Sequence, residues 1–287
     1  MSKRVILITG ASSGIGFHTA RLAAERGHTV IATAPREDLL ASTPSNAALR
    51  LVIDICDVDS IRKALAQLSG RDLDCLINNA GYAQPGPIEL VSDEQLRRQF
   101  DVNVFGTLSM TRETLPLLRA QTMRGQDARI ITLSSMLGRM SLPFQGAYAA
   151  SKHALEAAFE ALRMELHGSG IRVSLIEPGW IATEFLRTAM ALAPPSWLTH
   201  KIYGKALSAY FAVSRQAESA NPSGAAKIAA SLAGTPEQVA KVVLRAVESS
   251  SPRPRYPATA MASWMPRFAG WTPTKIWDDA MTKQYRT

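Results

Sequence analysis

No apolar stretch of this chain approaches the ~20 residues that a membrane-spanning helix needs, so an integral helical membrane protein is not expected. Cysteine is scarce. Cys56 and Cys75 show no spacing suited to a metal or a redox pair, and they read as reduced, buried thiols inside strands of a cytoplasmic protein. His18, His28, His153, His167 and His200 have no metal-ligand spacing either, so no metal is expected. No internal repeat, low-complexity tract or linker divides the sequence. The excess of 32 basic over 24 acidic residues (net +8) is not carried by any Lys/Arg block. It reads as a solvated basic surface, and a nucleic-acid partner is not expected. The opening MSKRVILITG lacks the long apolar region and small-residue cleavage site of a signal peptide and reads as a buried strand.

What the chain does have is 46% hydrophobic residues over 287 positions, enough for a large core. Short runs rich in Val, Ile and Leu occur at 4–9, 28–33, 49–55, 73–78, 128–134 and 171–177. They lack clean alternation, which is the pattern of parallel strands covered on both faces. Amphipathic segments lie between them. Ser92 with Gln95 forms a capping-box pattern opening a long helix toward residue 119, and Thr235-Pro236-Glu237-Gln238 forms another. Gly27 and Gly168 sit where a left-handed C-cap belongs. Repeated β-α-β of this kind predicts an α/β fold with one doubly wound parallel sheet. All of 1–287 is expected to form a single domain. An insertion at about 184–234 contains the helical stretch 196–213, and a tail from 251 carries Trp264, Trp271 and Trp277. That tail is interrupted by prolines, so membrane attachment is not expected.

The first chemical signal is TGASSGIG at 9–16, directly after the first strand and opening a helix. Gly10, Gly14 and Gly16 permit a tight turn and close backbone approach, and the helix N-terminus offers free N–H groups to a pyrophosphate. Ser12, Ser13 and Ile15 lie in the same loop. The second strand should end in an acid if NAD is the cofactor, because a carboxylate binds the ribose hydroxyls and repels a 2′-phosphate. Ala34 stands there instead, and Arg36 is near enough to reach a phosphate, which favours NADP(H).

The second signal is Tyr148 and Lys152, i and i+4 on an alanine-rich helix. Taken in order, TGASSGIG, NNAG at 78–81, Asn103-Val104, Ser134-Ser135, YAASK at 148–152 and PGWIAT at 178–183 resemble the short-chain dehydrogenases/reductases, in their single-domain branch. The resemblance covers about residues 3 to 183, and more loosely the helix after Thr235. It implies a Rossmann-type sheet of about seven strands and hydride transfer between nicotinamide and a carbonyl or alcohol carbon. Tyr148 would be the general acid/base. Lys152 would favour its ionised form and bind the nicotinamide ribose. Ser135 would hold the substrate oxygen, and Asn103 would kink its helix and bind a water joined to Lys152. By the same resemblance Asp54 would bind the adenine amino group, with Ile55 beside it. Asn79, Ala80 and Gly81 would border the cofactor, as would Pro178, Gly179, Ile181 and Thr183. Asp54 also reads as a cap of the turn that follows it.

Met136, Met140, Phe144 and Trp180, with Leu137 and Leu142, surround these motifs and predict a pocket for a lipophilic ketone, aldehyde or secondary alcohol, of hydroxysteroid or retinol type. Two other readings stay open: a cofactor-binding regulator without catalysis, and an NAD-dependent alcohol dehydrogenase of the same family. An extended-branch epimerase or dehydratase is disfavoured, because roughly 100 residues after 184 are too few for a substrate domain. The family also implies a homodimer or homotetramer pairing through the helices that carry Asn103 and Tyr148.

Overall fold

A computed structural model describes residues 3–181, 184–217 and 233–283. Seven parallel strands form one sheet in the order β3-β2-β1-β4-β5-β6-β7. The strands are β1 (Val5–Ile8), β2 (Thr29–Ala34), β3 (Leu49–Val52), β4 (Cys75–Asn78), β5 (Ala128–Leu133), β6 (Ile171–Glu177) and β7 (Arg255–Pro257). Each of the six expected runs is a strand, most of them trimmed by a residue or more at the ends. The seventh falls in what the sequence suggests is tail. At three residues with a proline it carries no periodic signal, and it is tolerated because β7 is an edge strand where a missing N–H costs nothing.

Alternation inside β1 shows why the runs look uniformly apolar. Leu7 packs with Ile61 of α2 (Val58–Ala66), Met110 and Leu118 of α4 (Thr107–Met123), and Leu155 and Phe159 of α5 (Gly146–Glu165). Ile6 and Ile8 face the other way, against Ala20 and Ala23 of α1 (Gly14–Glu25) and Val239 and Val243 of the helix Pro236–Glu248. Both faces are therefore core. Strand order reverses between β1 and β4, and the loops leaving these two strands open a crevice at their carboxyl ends, the general ligand position in such sheets.

Both capping boxes form with their reciprocal bonds, at Ser92/Gln95 and Thr235/Gln238. Gly27 and Gly168 both take positive φ at their helix ends. The helix opened by Ser92 is less regular than its periodicity suggests. α3 (Asp93–Phe100) passes into a π-helical turn, Asp101–Gly106, before α4 begins. The 196–213 stretch is broken too: a short helix Pro195–Leu198 is followed by Gly204–Ala217. A Cβ on Gly204 would come within 2.4 Å of the Leu198 carbonyl oxygen, so only glycine lets the chain turn back there. Cys75 is buried in β4 as expected, but Cys56 lies beyond β3 and is exposed. Two helices, Ala260–Trp271 and Thr274–Lys283, occupy most of the tail. No helix among the described residues is long and apolar enough to cross a membrane.

Removing the Thr235 cap leaves first-turn amides of the following helix without their side-chain acceptor. Thr235→Ala should lower the unfolding free energy by about 1 kcal/mol, read as a shifted urea midpoint with unchanged slope.

Candidate active site

The crevice is a cleft of about 820 Å³. Its floor starts with the loop after β1. Gly10 and Gly14 both take positive φ, +65° and +54°, which favours glycine. Gly16 is buried under the loop, where a Cβ would lie 2.3 Å from both the Gly10 carbonyl oxygen and Asn79 Nδ2. Ser12, Ser13, Gly14 and Ile15 line the cleft. Ser13 is the N-cap of α1 but its side chain makes no capping hydrogen bond, so the first-turn amides keep their capacity for an anion. Asn79 braces the loop from β4: its Nδ2 donates to the carbonyls of Thr9 and Gly10, both at 2.9 Å. Thr9 Oγ1 in turn accepts from the backbone N–H of Asn79 and Ala80. Ala80 and Gly81 complete this wall.

At the end of β2, Ala34 is fully buried and does not reach the cleft wall, whereas Arg36 lies on it and is largely exposed. Arg36 is already paired with Asp38, at 3.0 and 3.1 Å. Asp54 and Ile55 line the cleft. Asp54 Oδ1 accepts from the Cys56 N–H at 2.9 Å, so it does cap the turn that follows it.

The other end of the cleft is built by β5 and α5. Ser135, just past β5, is buried, and its hydroxyl is hydrogen-bonded with that of Tyr148. Ser135 Oγ also accepts from the Leu137 N–H. Lys152 Nζ donates to the Leu133 carbonyl at 2.7 Å and lies 5.7 Å from the centroid of the Tyr148 ring. Burial pushes the Tyr148 phenol up to about 12, only partly offset by the Ser135 hydrogen bond. Burial also draws Lys152 down to about 8, against the opposing charge of Glu156. At Tyr148 desolvation outweighs the hydrogen bond and favours the neutral phenol, a proton donor. The neighbouring Ser134 hydroxyl is buried without a hydrogen-bond partner.

Asn103 is fully buried in the π-helical turn. Its Oδ1 accepts from the Tyr82 N–H, and its Nδ2 donates to the Tyr82 carbonyl and to Ser151 Oγ. Its side chain thereby pins the chain leaving Gly81, where a Cβ would lie 3.0 Å from Asn103 Oδ1 and 3.9 Å from Lys152 Nζ.

On the far side, Pro178, Gly179, Trp180, Ile181 and Met136 line the cleft. Thr183 lies outside the described residues. Met140 and Phe144 are not on the wall. Met140 is buried in the cluster that packs behind Met136 and Tyr148, and Phe144 packs with Trp197, Tyr210 and Phe211 of the insertion. Both are consumed as core. Sequence reading missed Gln145 and Tyr210, which line the cleft and are joined by a 2.5 Å hydrogen bond from Gln145 Nε2 to the Tyr210 hydroxyl. No motif spacing links residues 65 positions apart. Ala189, from the insertion, also reaches the wall.

The arrangement has firm parallels. The family model described as short chain dehydrogenase matches residues 4–191. The chain is 35% identical over 265 residues to the uncharacterized oxidoreductase YbbO of Escherichia coli, covering 91% of this chain and 87% of that protein. It is 40% identical over 190 residues to a 3-ketodihydrosphingosine reductase of Bacteroides thetaiotaomicron, covering 64% and 66% of the two chains. A short chain dehydrogenase from Burkholderia cenocepacia, crystallised in complex with NADP, superposes with a TM-score of 0.71 at 25% identity, covering 100% of this chain and 98% of that one.

The packing beneath the loop gives a direct check. Gly16→Ala forces a methyl against a backbone oxygen, and should cost about 1–3 kcal/mol of stability in urea denaturation.

Proposed function

The chain belongs to the short-chain dehydrogenases, and from that premise we propose that it is an NADP(H)-dependent oxidoreductase interconverting a lipophilic ketone or aldehyde with its alcohol. The observation that carries this reading is the meeting of Ser135, Tyr148 and Lys152 at one end of a cleft whose other end is the glycine loop. The residues suit a dinucleotide: an uncapped helix N-terminus, and Gly14, whose missing Cβ would point into open space. A bound nicotinamide supplies or accepts the hydride.

The chain's own residues handle the oxygen and its proton. Ser135 and Tyr148 hydroxyls, already hydrogen-bonded to each other, both donate toward a carbonyl oxygen placed between them. As charge develops on that oxygen, the neutral phenol is the group able to give its proton. Lys152 beneath the ring stabilises the phenolate left behind, and its ammonium also suits the ribose hydroxyls. The family resemblance gives Asn103 a water leading toward Lys152. A π-helical turn, often found at functional sites, supports a role for this position.

Support for a lipophilic substrate comes from Met136, Leu137, Leu142 and Trp180 on the wall. The related Bacteroides protein is, by its name, a reductase of a keto compound. The absence of an acid at Ala34 and the place of Arg36 support NADP(H). The Arg36–Asp38 pair favours the alternative of NAD, since that guanidinium is already matched. A single domain, a cytoplasmic setting and a homodimer or homotetramer complete the proposal. Exposed Phe105 and Met164, on the Asn103 turn and on α5, suit pairing of those helices.

NADPH and NADH oxidation measured with a panel of aromatic and cyclic ketones tests the reading. Tyr148→Phe should lower turnover by roughly 10²–10⁴-fold while NADPH fluorescence still reports binding. Near-normal turnover would remove Tyr148 from the chemistry. Arg36→Ala should lower kcat/KM for NADPH by about tenfold and leave NADH unchanged. A wild-type enzyme that prefers NADH would overturn the cofactor assignment.

A further inference from the structure

The helix that carries the reacting groups continues a pattern that the mechanism does not use. Tyr148, Lys152, Glu156 and Glu160 recur at every fourth position of α5, so they share one face. Glu156 is buried, one turn beyond Lys152. Its Oε2 accepts from Arg255 Nη2 at 2.7 Å, and Arg255 Nε donates to Glu177 Oε1 at 2.9 Å. Glu160 pairs with the same guanidinium from the rim, and Arg139 lies 3.8 Å from Glu177 Oε2. Three carboxylates thus face two guanidiniums, with Lys152 one turn from Glu156 on the same helix.

Burial of this kind is costly for a cation unless an opposite charge is near. Lys152 Nζ donates to the Leu133 carbonyl, a neutral acceptor, while the charge acting against its desolvation is that of Glu156. The Oε1 atom of Glu156 is buried without a hydrogen-bond partner, so Arg255 does not fully satisfy this carboxylate. Glu177, fully buried at the end of β6, is pushed up by burial and by Glu156 itself. Of the two buried acids, Glu156 is the one that shares the helix face of Lys152, at i+4.

We propose that Glu156 is a positioning residue of the active site: its side chain, held by Arg255 of the last strand, is the group that keeps Lys152 an ammonium. The assignment rests on Lys152 standing at the reacting centre, as the preceding subsection has it. It ties the protonation of that centre to a strand more than a hundred residues further along the chain. Loss of the Glu156 charge would remove the interaction that opposes the desolvation of Lys152.

The test reads Lys152 directly. In ¹⁵N-lysine-labelled protein the Lys152 Nζ resonance is identified by its loss in Lys152→Arg and followed against pH. Glu156→Gln keeps the shape and an acceptor for Arg255 without the charge. Glu156→Ala is a second neutral variant compatible with an alanine-rich helix. Either should lower the Lys152 midpoint by about one pH unit, and shift the alkaline limb of kcat/KM for NADPH-dependent reduction down with it. Glu160→Gln, which removes the exposed carboxylate on the same arginine, should leave the midpoint in place. An unmoved midpoint in a folded neutral variant overturns the proposal, as does an equal shift in Glu160→Gln. A shifted midpoint in a protein that reduces no carbonyl would uphold the role of Glu156 and sink the proposed reaction instead.

Discussion

The hydrogen bond from Lys152 to the carbonyl of Leu133 fixes more of this molecule than any other single contact. It joins the first turns of α5 to the carboxyl end of β5, and so sets where Tyr148 stands relative to Ser135. A lysine reaching a backbone carbonyl inside the protein is an unusual arrangement, because an ammonium gives up much hydration for one neutral acceptor. The structure accepts this cost where it is useful. The same low-dielectric surroundings that draw Lys152 down also hold the Tyr148 phenol neutral, so both groups sit far from their ordinary protonation equilibria.

At the other end of the cleft the constraint is steric rather than electrostatic. The loop after β1 can approach β4 closely because Gly16 has no side chain, and the Asn79 amide fills the space that results. Thr9 and Asn79 stitch the ends of β1 and β4 together at the point where strand order reverses. The two ends of the cleft are thus rigid for different reasons, and the sheet sets their separation. Between them the wall is supplied by less regular chain: the segment after β6, the insertion, and the turn pinned by Asn103.

Local chemistry explains which parts were legible in the sequence. Strands covered on both faces, helix caps and the glycine loop each depend on residues within a few positions, and these were read correctly. What depends on distant packing was not. Met140 and Phe144 have the right polarity for a pocket, but their neighbours turn them into core, while Gln145 and Tyr210 meet only because the insertion folds back. β7 has too few residues to show a period, and its register beside β6 is set by the sheet edge. The acids beside Arg36, Glu37 and Asp38, are legible in the sequence, but which of them pairs with it is set by the fold.

The tail illustrates how such distant packing enters the chemistry. Pairing of Ile176 with Tyr256 and of Glu177 with Pro257 sets β7 against the end of β6, and this register brings Arg255 within reach of both Glu156 and Glu177. Without that guanidinium, the buried carboxylates of α5 and β6 would lose the cation that they share. The edge strand therefore does more than extend the sheet. It supplies the charge that lets α5 carry acids on the same face as its lysine, and an alanine-rich helix with one polar stripe can then be both packed and charged.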